Sequence, residues 1–322
     1  MARTTAVIPN YQGIKYIEDC LSSLYQGSVV PEVILVDNAS GDGSLSLVKE
    51  KFPQVQIIAL TSNTGFCKAV NEGIRAAETE FVLLLNNDTV ADRDMVKELE
   101  ASLDRYPKAF SSGAKMISLH DKSRLDGAGD FYCALGWGFS RGKGKPADAY
   151  NRPGRTFSAC AGAAIYRRKI FEKIGFFDEN HFAYLEDIDI GYRANIYGYH
   201  NRYQPEAKVF HAGSAASGSR YNAFKVKQSA RNNVYLIYKN MPFLQILINL
   251  PFLAVGFGIK YLFFLKKGMG GDYCRAFKEG IAICKTNPAK KTKVKFSFKR
   301  IKNYLWIQMQ LWFNMVRRMC DF

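Results

Sequence analysis

Short apolar runs that stop abruptly at polar residues alternate with helix-like segments along the first half of the chain. The clearest run is Phe81 to Leu85, five consecutive apolar residues that predict a strand buried on both faces. Similar strands are predicted at residues 4–8, 32–36 and 56–60, and a segment with helical spacing follows each of them. The alternation predicts an α/β fold, in which a central sheet is flanked by helices.

The residues that follow these strands carry the candidate chemistry. Asn10, Asp37, Asn63 and Asp88 each lie at or just beyond the end of a predicted strand. Ligands in open α/β sheets bind outside the carboxyl ends of the strands. A carboxylate such as Asp88, backed by two amides, suits a Mg²⁺ or Mn²⁺ ion that also takes diphosphate oxygens. The alternative is that these residues only form turns and helix caps.

Several later segments allow two interpretations each. Lys68, in the first turn of a predicted helix, could face a phosphate or only solvent. Residues 127–144 are rich in glycine and aromatic residues, so they could form an acceptor-facing flap or an irregular loop anchored by Trp137. Residues 157–168 predict a strand of small side chains, which could let a ligand approach the backbone near Gly162 or only allow close strand packing.

Two further candidates depend on their position in predicted elements. Glu186 and Asp187 begin a predicted helix, where capping and the helix dipole favour carboxylates whatever their function. His211 follows a predicted strand at residues 203–210, but a lone histidine is usually not a ligand. The residues alone leave both roles open.

Charge separates the chain into two parts. Residues 1–259 contain 30 Lys and Arg against 26 Asp and Glu, whereas residues 260–322 contain 15 against 3. The net charge of +16 therefore belongs mainly to the C-terminal part. We predict two regions, a catalytic domain at residues 1–240 and a basic, aromatic-rich helical region at residues 241–322 that associates with a membrane.

The C-terminal region begins with an apolar segment, Pro242 to Leu265, which is long enough for one membrane crossing of ~20 residues. Gln245 and Asn249 within it favour a pair of interfacial helices bent at Pro251 instead. The basic and aromatic residues that follow are typical of a helix on an anionic bilayer surface. Nucleic-acid binding is the alternative, but long apolar runs argue against it.

The seven cysteines show no paired spacing, and the N-terminal residues lack an apolar signal segment. Both features predict reduced thiols and a location at the cytoplasmic face of the cell membrane.

Four segments in this order carry a family resemblance: residues 7–11, 36–44, 63–66 and 85–88. Together they closely resemble the family 2 glycosyltransferases of the GT-A fold, particularly a bacterial rhamnosyltransferase-like branch. The resemblance implies a mixed central sheet flanked by helices, with a C-terminal helical membrane-associating extension. It covers residues 4–215, and Asn86 stands where the family's metal-binding motif has its first aspartate.

The resemblance also implies roles for individual residues. Asp187 would be the general base, preceded by Glu186 in the family's E-D motif, while Asp88 and His211 would hold Mg²⁺ or Mn²⁺. Trp137 and Gly162 would contact the acceptor or the donor sugar. The nucleotide sugar would be held by Pro9, Asn10, Tyr11, Asp37, Asn38, Asn63, Gly65, Lys68, Asn71, Asn87 and Asp88.

This set predicts an inverting, metal-dependent transfer of a sugar from a nucleotide diphosphate onto a lipid-linked or oligosaccharide acceptor in cell-surface polysaccharide synthesis. The branch suggests dTDP-L-rhamnose as donor, and a UDP-hexose would bind the same motifs. A nucleotidyltransferase is disfavoured because the chain does not open with a glycine- and arginine-rich phosphate loop. A non-catalytic protein that binds a sugar nucleotide or a membrane is the alternative of another class.

Overall fold

A computed structural model of the protein describes residues 2–213 and 222–320. The strands are β1 (Thr4–Asn10), β2 (Glu32–Asp37), β3 (Gln56–Ala59), β4 (Phe81–Leu85), β5 (Thr89–Ala91), β6 (Ala109–Ser118), β7 (Leu125–Gly127), β8 (Asp130–Cys133), β9 (Trp137–Ser140), β10 (Gly154–Thr156), β11 (Ala163–Arg167) and β12 (His200–His211). The helices are α1 (Ile17–Tyr25), α2 (Ser44–Lys51), α3 (Phe66–Ala76), α4 (Met95–Arg105), α5 (Arg168–Ile174), α6 (Glu186–Ile196), α7 (Ala223–Asn240), α8 (Phe243–Lys266), α9 (Gly270–Cys284), α10 (Asn287–Thr292) and α11 (Ile301–Cys320).

A mixed sheet forms the centre of the fold. Its main path runs β10-β12-β6-β11-β4-β1-β2-β3, with β5 paired to β12 and β7 paired to β6. β1 is parallel to both β2 and β4, whereas β11 is antiparallel to β4 and β6. β2 and β3 lie on one side of β1, whereas β4 lies on its other side, so the strand order reverses between β1 and β4. Their carboxyl ends therefore border the crevice where ligands bind in folds of this kind.

Alternation along the strands divides the core between the two faces of the sheet. In β4, Leu83 and Leu85 belong to one buried cluster, while Val82 and Leu84 belong to the other. Every residue of β4 is buried, because helices cover both faces. The predicted buried strand at residues 81–85 is confirmed.

A third buried cluster joins the two halves of the chain. It contains Tyr132 of β8 and Ile188 of α6 together with Leu253 of α8 and Leu311 of α11. The predicted boundary at residue 240 coincides with the end of α7. The helices beyond that boundary nevertheless share a core with the part of the chain before it.

The region predicted as a loop at residues 127–144 contains a β-hairpin formed by β8 and β9. Its tip is held by three helices: Asn233 of α7 donates to the carbonyl of Gly136 at 2.6 Å, and Trp137 donates to the carbonyl of Gly256 in α8 at 3.0 Å. The N–H of Ala134 donates to the carbonyl of Leu311 in α11 at 3.0 Å. Contacts with distant helices order this segment. The glycine-rich local sequence does not predict those contacts.

Two more predictions from the sequence were wrong. The predicted strand at residues 157–168 is limited to β11, because residues 157–162 approach the sheet as an irregular segment. The predicted bend at Pro251 does not break the helix, since α8 continues through it. Gln245, Asn249 and Leu253 lie four residues apart on one buried stripe, so both halves of α8 pack against the protein with the same face.

A glycine in α8 makes that packing possible, which leads to a stability prediction. A Cβ at Gly256 would lie 2.0 Å from the carbonyl oxygen of Leu135, whereas a Cβ at Gly258 would meet nothing within 4 Å. We expect Gly256→Ala to destabilise the protein by about 1–3 kcal/mol through overpacking. Gly258→Ala should be neutral or stabilising by up to about 1 kcal/mol, because alanine favours helix. Thermal unfolding of both variants in detergent tests this, and equal midpoints would contradict the tight contact.

Candidate active site

The ends of β1, β2 and β4 are joined by a chain of hydrogen bonds. The side-chain amide of Asn87 donates to Oδ1 of Asn10 at 2.8 Å, and the amide of Asn10 donates to Oδ1 of Asp37 at 2.8 Å. The other oxygen of Asp37 accepts from the N–H of Ser40 at 3.0 Å, and the residue is 2% exposed. Asp37 therefore holds the turn after β2, as its structural interpretation predicts, and fixes the edge at which a nucleotide is expected.

Asn38 connects this edge to the loop before α3. Its side-chain amide donates to the carbonyl of Gly65 at 3.1 Å, and its oxygen accepts from the N–H of Thr64 at 2.8 Å. Asn63 accepts from the N–H of Gly65 at 3.0 Å. Gly65 has a φ of +85°, and a Cβ there would lie 2.5 Å from the ring of Phe182. Only glycine allows this loop to approach the segment before α6 so closely.

Three other predicted nucleotide-binding residues are accessible at the same edge. Pro9 and Lys68 are half-buried, and Tyr11 is 37% exposed. Lys68 lies in the first turn of α3, where N–H groups without helical partners favour an anion. The roles of these three residues stay predictions.

Asn71 does not have the position predicted for it. Its side-chain amide donates to the carbonyl of Phe177 at 2.8 Å, and its oxygen accepts from the N–H of the same residue at 3.1 Å. The residue is buried inside the fold. Asn71 therefore holds the segment that leads to α6 and does not project toward a nucleotide.

A histidine and a carboxylate meet at the end of β4. Nε2 of His211 lies 3.2 Å from Oδ1 of Asp88, and its Nδ1 lies 2.7 Å from Oδ2 of Asp126. The strand pairing fixes this arrangement, because the N–H of Ala212 donates to the carbonyl of Asp88 at 2.9 Å. The amide nitrogen of Asn86 lies 3.4 Å from Nε2 of His211. The predicted metal ligands Asp88 and His211 are thus adjacent.

The donor set fits a divalent cation. Asp126 orients the imidazole from its far side, which is how second-shell carboxylates position histidine ligands. Burial alone would lower the pKa of His211, but hydrogen bonds with Asp126 and Asp88 raise it to about 9. The side chains of Asp88 and Asp126 therefore stabilise positive charge at this position.

The predicted base lies at the start of α6, next to two residues from other segments. Oδ1 of Asp187 accepts from the N–H of Ile188 at 2.7 Å. One oxygen of Asp187, one oxygen of Asp130 and the sulfur of Cys160 lie within 4.8 Å of one another. Burial raises the pKa of Cys160 well above its usual range, so the neutral thiol is a poor ligand for a hard cation. This cluster therefore suits acid–base chemistry better than metal binding.

Burial dominates the protonation of the three carboxyl groups around Asp187. It raises the pKa of Asp187 itself. Burial and the charge of Asp187 raise the pKa of Glu186 to about 8 and raise that of Asp130 well above its usual range. Asp187 receives a backbone hydrogen bond that stabilises its charged form, so the negative charge resides there and the protons on its neighbours.

The loop that enters α6 has an unusual backbone. Phe182, Tyr184 and Leu185 all have positive φ values, between 62° and 72°. The buried amide of Asn232 in α7 donates to the carbonyls of His181, Ala183 and Tyr184, each at 2.8 Å. Backbone strain of this kind costs about 1–3 kcal/mol per residue and clusters at functional sites. Asn232 holds the loop that sets the direction of Glu186 and Asp187.

The two predicted sugar-contacting residues both have structural contacts. The indole N–H of Trp137 donates to the carbonyl of Gly256 in α8 at 3.0 Å, so Trp137 anchors the hairpin, and its contact with a sugar stays a prediction. The carbonyl of Gly162 accepts from the N–H of Asn86 at 2.9 Å. Gly162 is therefore beside the end of β4, and its contact with the donor sugar stays a prediction.

Sequence reasoning missed two residues of this site, Asp126 and Asp130, and it did not assign a role to Asn232. The first two frame a five-residue segment, Asp-Gly-Ala-Gly-Asp, at residues 126–130. Asp126 contacts His211 and Asp130 contacts Asp187, so this one segment links the metal end of the site to the base end. Two carboxylates among small residues were the available signal.

The site thus places acidic groups at the strand ends of a mixed α/β sheet. A sequence model described as glycosyl transferase family 2 matches residues 5–175, more than half of the chain. The chain therefore belongs to glycosyl transferase family 2, and the predicted family is confirmed. The N-acetylglucosaminyl-diphospho-decaprenol L-rhamnosyltransferase of Mycobacterium tuberculosis is 28% identical over 242 residues, which cover 66% of this chain and 78% of the relative.

Solved structures confirm the GT-A type of fold. GalNAc-T7 with UDP, GalNAc and Mn²⁺ aligns with a TM-score of 0.61 at 14% identity, over 74% of this chain and 48% of that one. TarS 1–349 of S. aureus in complex with UDP-GlcNAc aligns with a TM-score of 0.59 at 18% identity, over 87% of this chain and 81% of that one. These likenesses support the architecture, a mixed central sheet flanked by helices.

Proposed function

We propose that this glycosyltransferase transfers a sugar, with inversion at the anomeric carbon, from a nucleotide diphosphate onto a lipid-linked glycan in cell-surface polysaccharide synthesis. The observation that carries the proposal is the segment at residues 126–130. It supports a cation-binding pair, Asp88 and His211, at one end and a carboxylate base, Asp187, at the other. Glycosyl transfer from a diphosphate needs both functions in one cleft.

In the proposed reaction, Asp187 accepts the proton of the acceptor hydroxyl. The hydroxyl oxygen attacks the anomeric carbon from the side opposite the diphosphate, and the bond to the diphosphate oxygen breaks with its electron pair. Glu186 and Asp130 keep their protons at neutral pH, so the negative charge is concentrated on Asp187. Asn10, Asp37 and Asn38 keep the nucleotide edge rigid.

A divalent cation held by Asp88 and His211 would supply positive charge for the leaving diphosphate. We propose Mn²⁺ or Mg²⁺, and the imidazole ligand favours Mn²⁺ because Mg²⁺ takes oxygen ligands. Asp126, which contacts Nδ1 of His211, would hold the imidazole with Nε2 toward the cation.

The best-supported donor is dTDP-L-rhamnose. The support is the 28% identity to a rhamnosyltransferase, whose name gives a prenyl-diphosphate-linked acceptor. A UDP-hexose is the alternative, because the same strand-end residues would serve either nucleotide.

The test is turnover by the purified full chain with a panel of dTDP- and UDP-sugars and a prenyl-diphosphate-linked N-acetylglucosamine acceptor. We expect transfer from one donor, with inverted product stereochemistry by NMR. A retained configuration would refute the inverting mechanism. Binding of donors without turnover on this acceptor would favour a non-catalytic sugar-nucleotide-binding protein.

We also propose that α8 and α11 rest on the cytoplasmic face of an anionic membrane. Among the described residues, α8 alone is long and apolar enough to cross a bilayer, judged by length and composition. Its polar residues Gln245 and Asn249 bind Tyr192 and Gln308 inside the protein, at 2.6 and 2.8 Å. These contacts support a helix that lies along the membrane surface.

The exposed residues of these helices provide a membrane-binding prediction. Leu262 of α8 is 56% exposed and Leu305 of α11 is 59% exposed, beside a basic stretch at residues 285–302. We expect Leu262→Asp with Leu305→Asp to release the protein from phosphatidylglycerol vesicles, because both the apolar contact and the charge attraction weaken. Val30→Asp, at a site 44% exposed on the catalytic half, is the control and should stay bound in the same flotation assay.

A further inference from the structure

Asp130 has a rigid place beside the base. It is the first residue of β8, and its carbonyl accepts from the N–H groups of Phe157 and Ser158 at 3.0 and 3.1 Å. It pairs with Ser140 across the hairpin, and its side chain is buried. The backbone of Asp130 is therefore fixed from two sides.

The side chain of Asp130 points at Asp187. One oxygen of Asp130 and one oxygen of Asp187 lie within 4.8 Å of each other, which places a protonated Asp130 where it can donate a hydrogen bond to Asp187. Two carboxylates so close in a buried site do not both ionise, so the pair retains one proton. Asp187 is already held on one oxygen by the N–H of Ile188. The bond from Asp130 thus provides a second point of attachment for the base.

We infer that Asp130 is a positioning residue for the sugar transfer: as a hydrogen-bond donor from β8, it fixes the carboxylate of Asp187 toward the acceptor hydroxyl. The inference rests on the proposed function, in which Asp187 is the base. The hairpin that begins with Asp130 is held in turn by contacts with α7, α8 and α11.

The titrating groups that face the pair come from several elements. Glu186 of α6 and Cys160 are adjacent on the Asp187 side, and Lys143 contributes a positive charge on the Asp130 side. Loss of the hydrogen bond from Asp130 removes a contact that stabilises the charged form of Asp187. The pKa of Asp187 should then rise, so the base would be ionised only at higher pH.

The experiment compares Asp130→Ala, Asp130→Asn and Asp187→Asn in the full chain, with dTDP-L-rhamnose and the prenyl-linked acceptor across pH. We expect Asp130→Ala to lower kcat about tenfold or more, as for outer-shell partners that orient reactive groups, with little change in the KM for the donor. The ascending limb of the pH profile of kcat for Asp130→Ala should move to higher pH. Asp130→Asn, whose amide can still donate, should restore both kcat and the limb.

Each outcome decides a different point. An unmoved pH limb in Asp130→Ala, or a loss that asparagine does not restore, would overturn the positioning role while Asp187→Asn remains inactive. Full activity of Asp187→Asn would overturn the base assignment and the inference with it. If no donor is turned over, carboxyl ¹³C NMR of aspartate-labelled protein still decides: a proton retained at pH 7 should disappear in Asp130→Asn, and its persistence would refute the inference.

Discussion

Replacing Asp187 with asparagine is expected to reduce kcat of sugar transfer by roughly 10²–10⁴-fold, the usual contribution of a positioned general base. The substitution keeps the shape of the side chain and an oxygen for the N–H of Ile188, now 2.7 Å away. The KM for the donor should change little, because Asp187 acts on the acceptor hydroxyl. Steady-state transfer kinetics at saturating metal measure both constants.

Stability separates this effect from damage to the fold. Asp187→Asn removes the cost of keeping a negative charge away from water. The thermal midpoint of the variant should therefore equal or exceed that of the wild type. Asp189 is the contrasting neighbour: its carboxylate binds Arg193 and Lys239, both at 2.8 Å, in the interior. Asp189→Asn should destabilise the protein by several kcal/mol, because it removes the carboxylate partner of buried Arg193 and leaves Asp178 as the partner of buried Lys239. If Asp187→Asn retained more than a tenth of wild-type turnover, another group would have to be the base.

The second large effect is expected at the proposed metal site. His211→Ala and Asp88→Ala should each reduce turnover about 10³-fold at any Mn²⁺ concentration, since a bound cation contributes several kcal/mol to the stabilisation of a leaving diphosphate. EDTA should have the same effect on the wild type. Activity titrated against Mn²⁺, with binding measured by calorimetry, tests the expectation.

A graded variant sharpens the metal experiment. Asp126→Asn alters the partner of Nδ1 of His211, 2.7 Å away, and weakens an exposed contact with Lys143. It should weaken Mn²⁺ binding about 10–100-fold and recover kcat at high Mn²⁺. His120, an exposed histidine, is the matched control, and His120→Ala should behave as the wild type. Full activity in EDTA would remove the metal from the mechanism and leave the fold untouched.

The parts of the structure that could be predicted are those determined by local sequence. Buried strands such as β4 have continuous apolar runs, and the residues that terminate them lie at the ligand-binding edge because the strand direction puts them there. Asp88 was proposed in this way, whereas the role of His211 was proposed from the family resemblance. Their 3.2 Å approach depends on the pairing of β5 with β12, which no local pattern encodes.

The missed features depend on contacts between distant parts of the chain. Asp126 meets His211 across 85 residues, and Trp137 meets Gly256 across 119. Trp137 was proposed as a sugar contact because it lies in a glycine-rich segment. Its contact with α8 could not be predicted without the position of that helix. Asn71 was misjudged for a similar reason, since its partner Phe177 lies 106 residues further along the chain.

The contacts of α7, α8 and α11 with the β8–β9 hairpin limit how the protein can be shortened for preparation. The hairpin that starts with Asp130 is built partly on α8 and α11, so a chain cut after residue 240 would lose the carbonyl of Gly256 and the backbone partner of Ala134. Truncation would then disturb the catalytic centre along with solubility. A detergent-free preparation is better sought by exchanging exposed apolar residues of α8 and α11 for polar ones while every helix is kept.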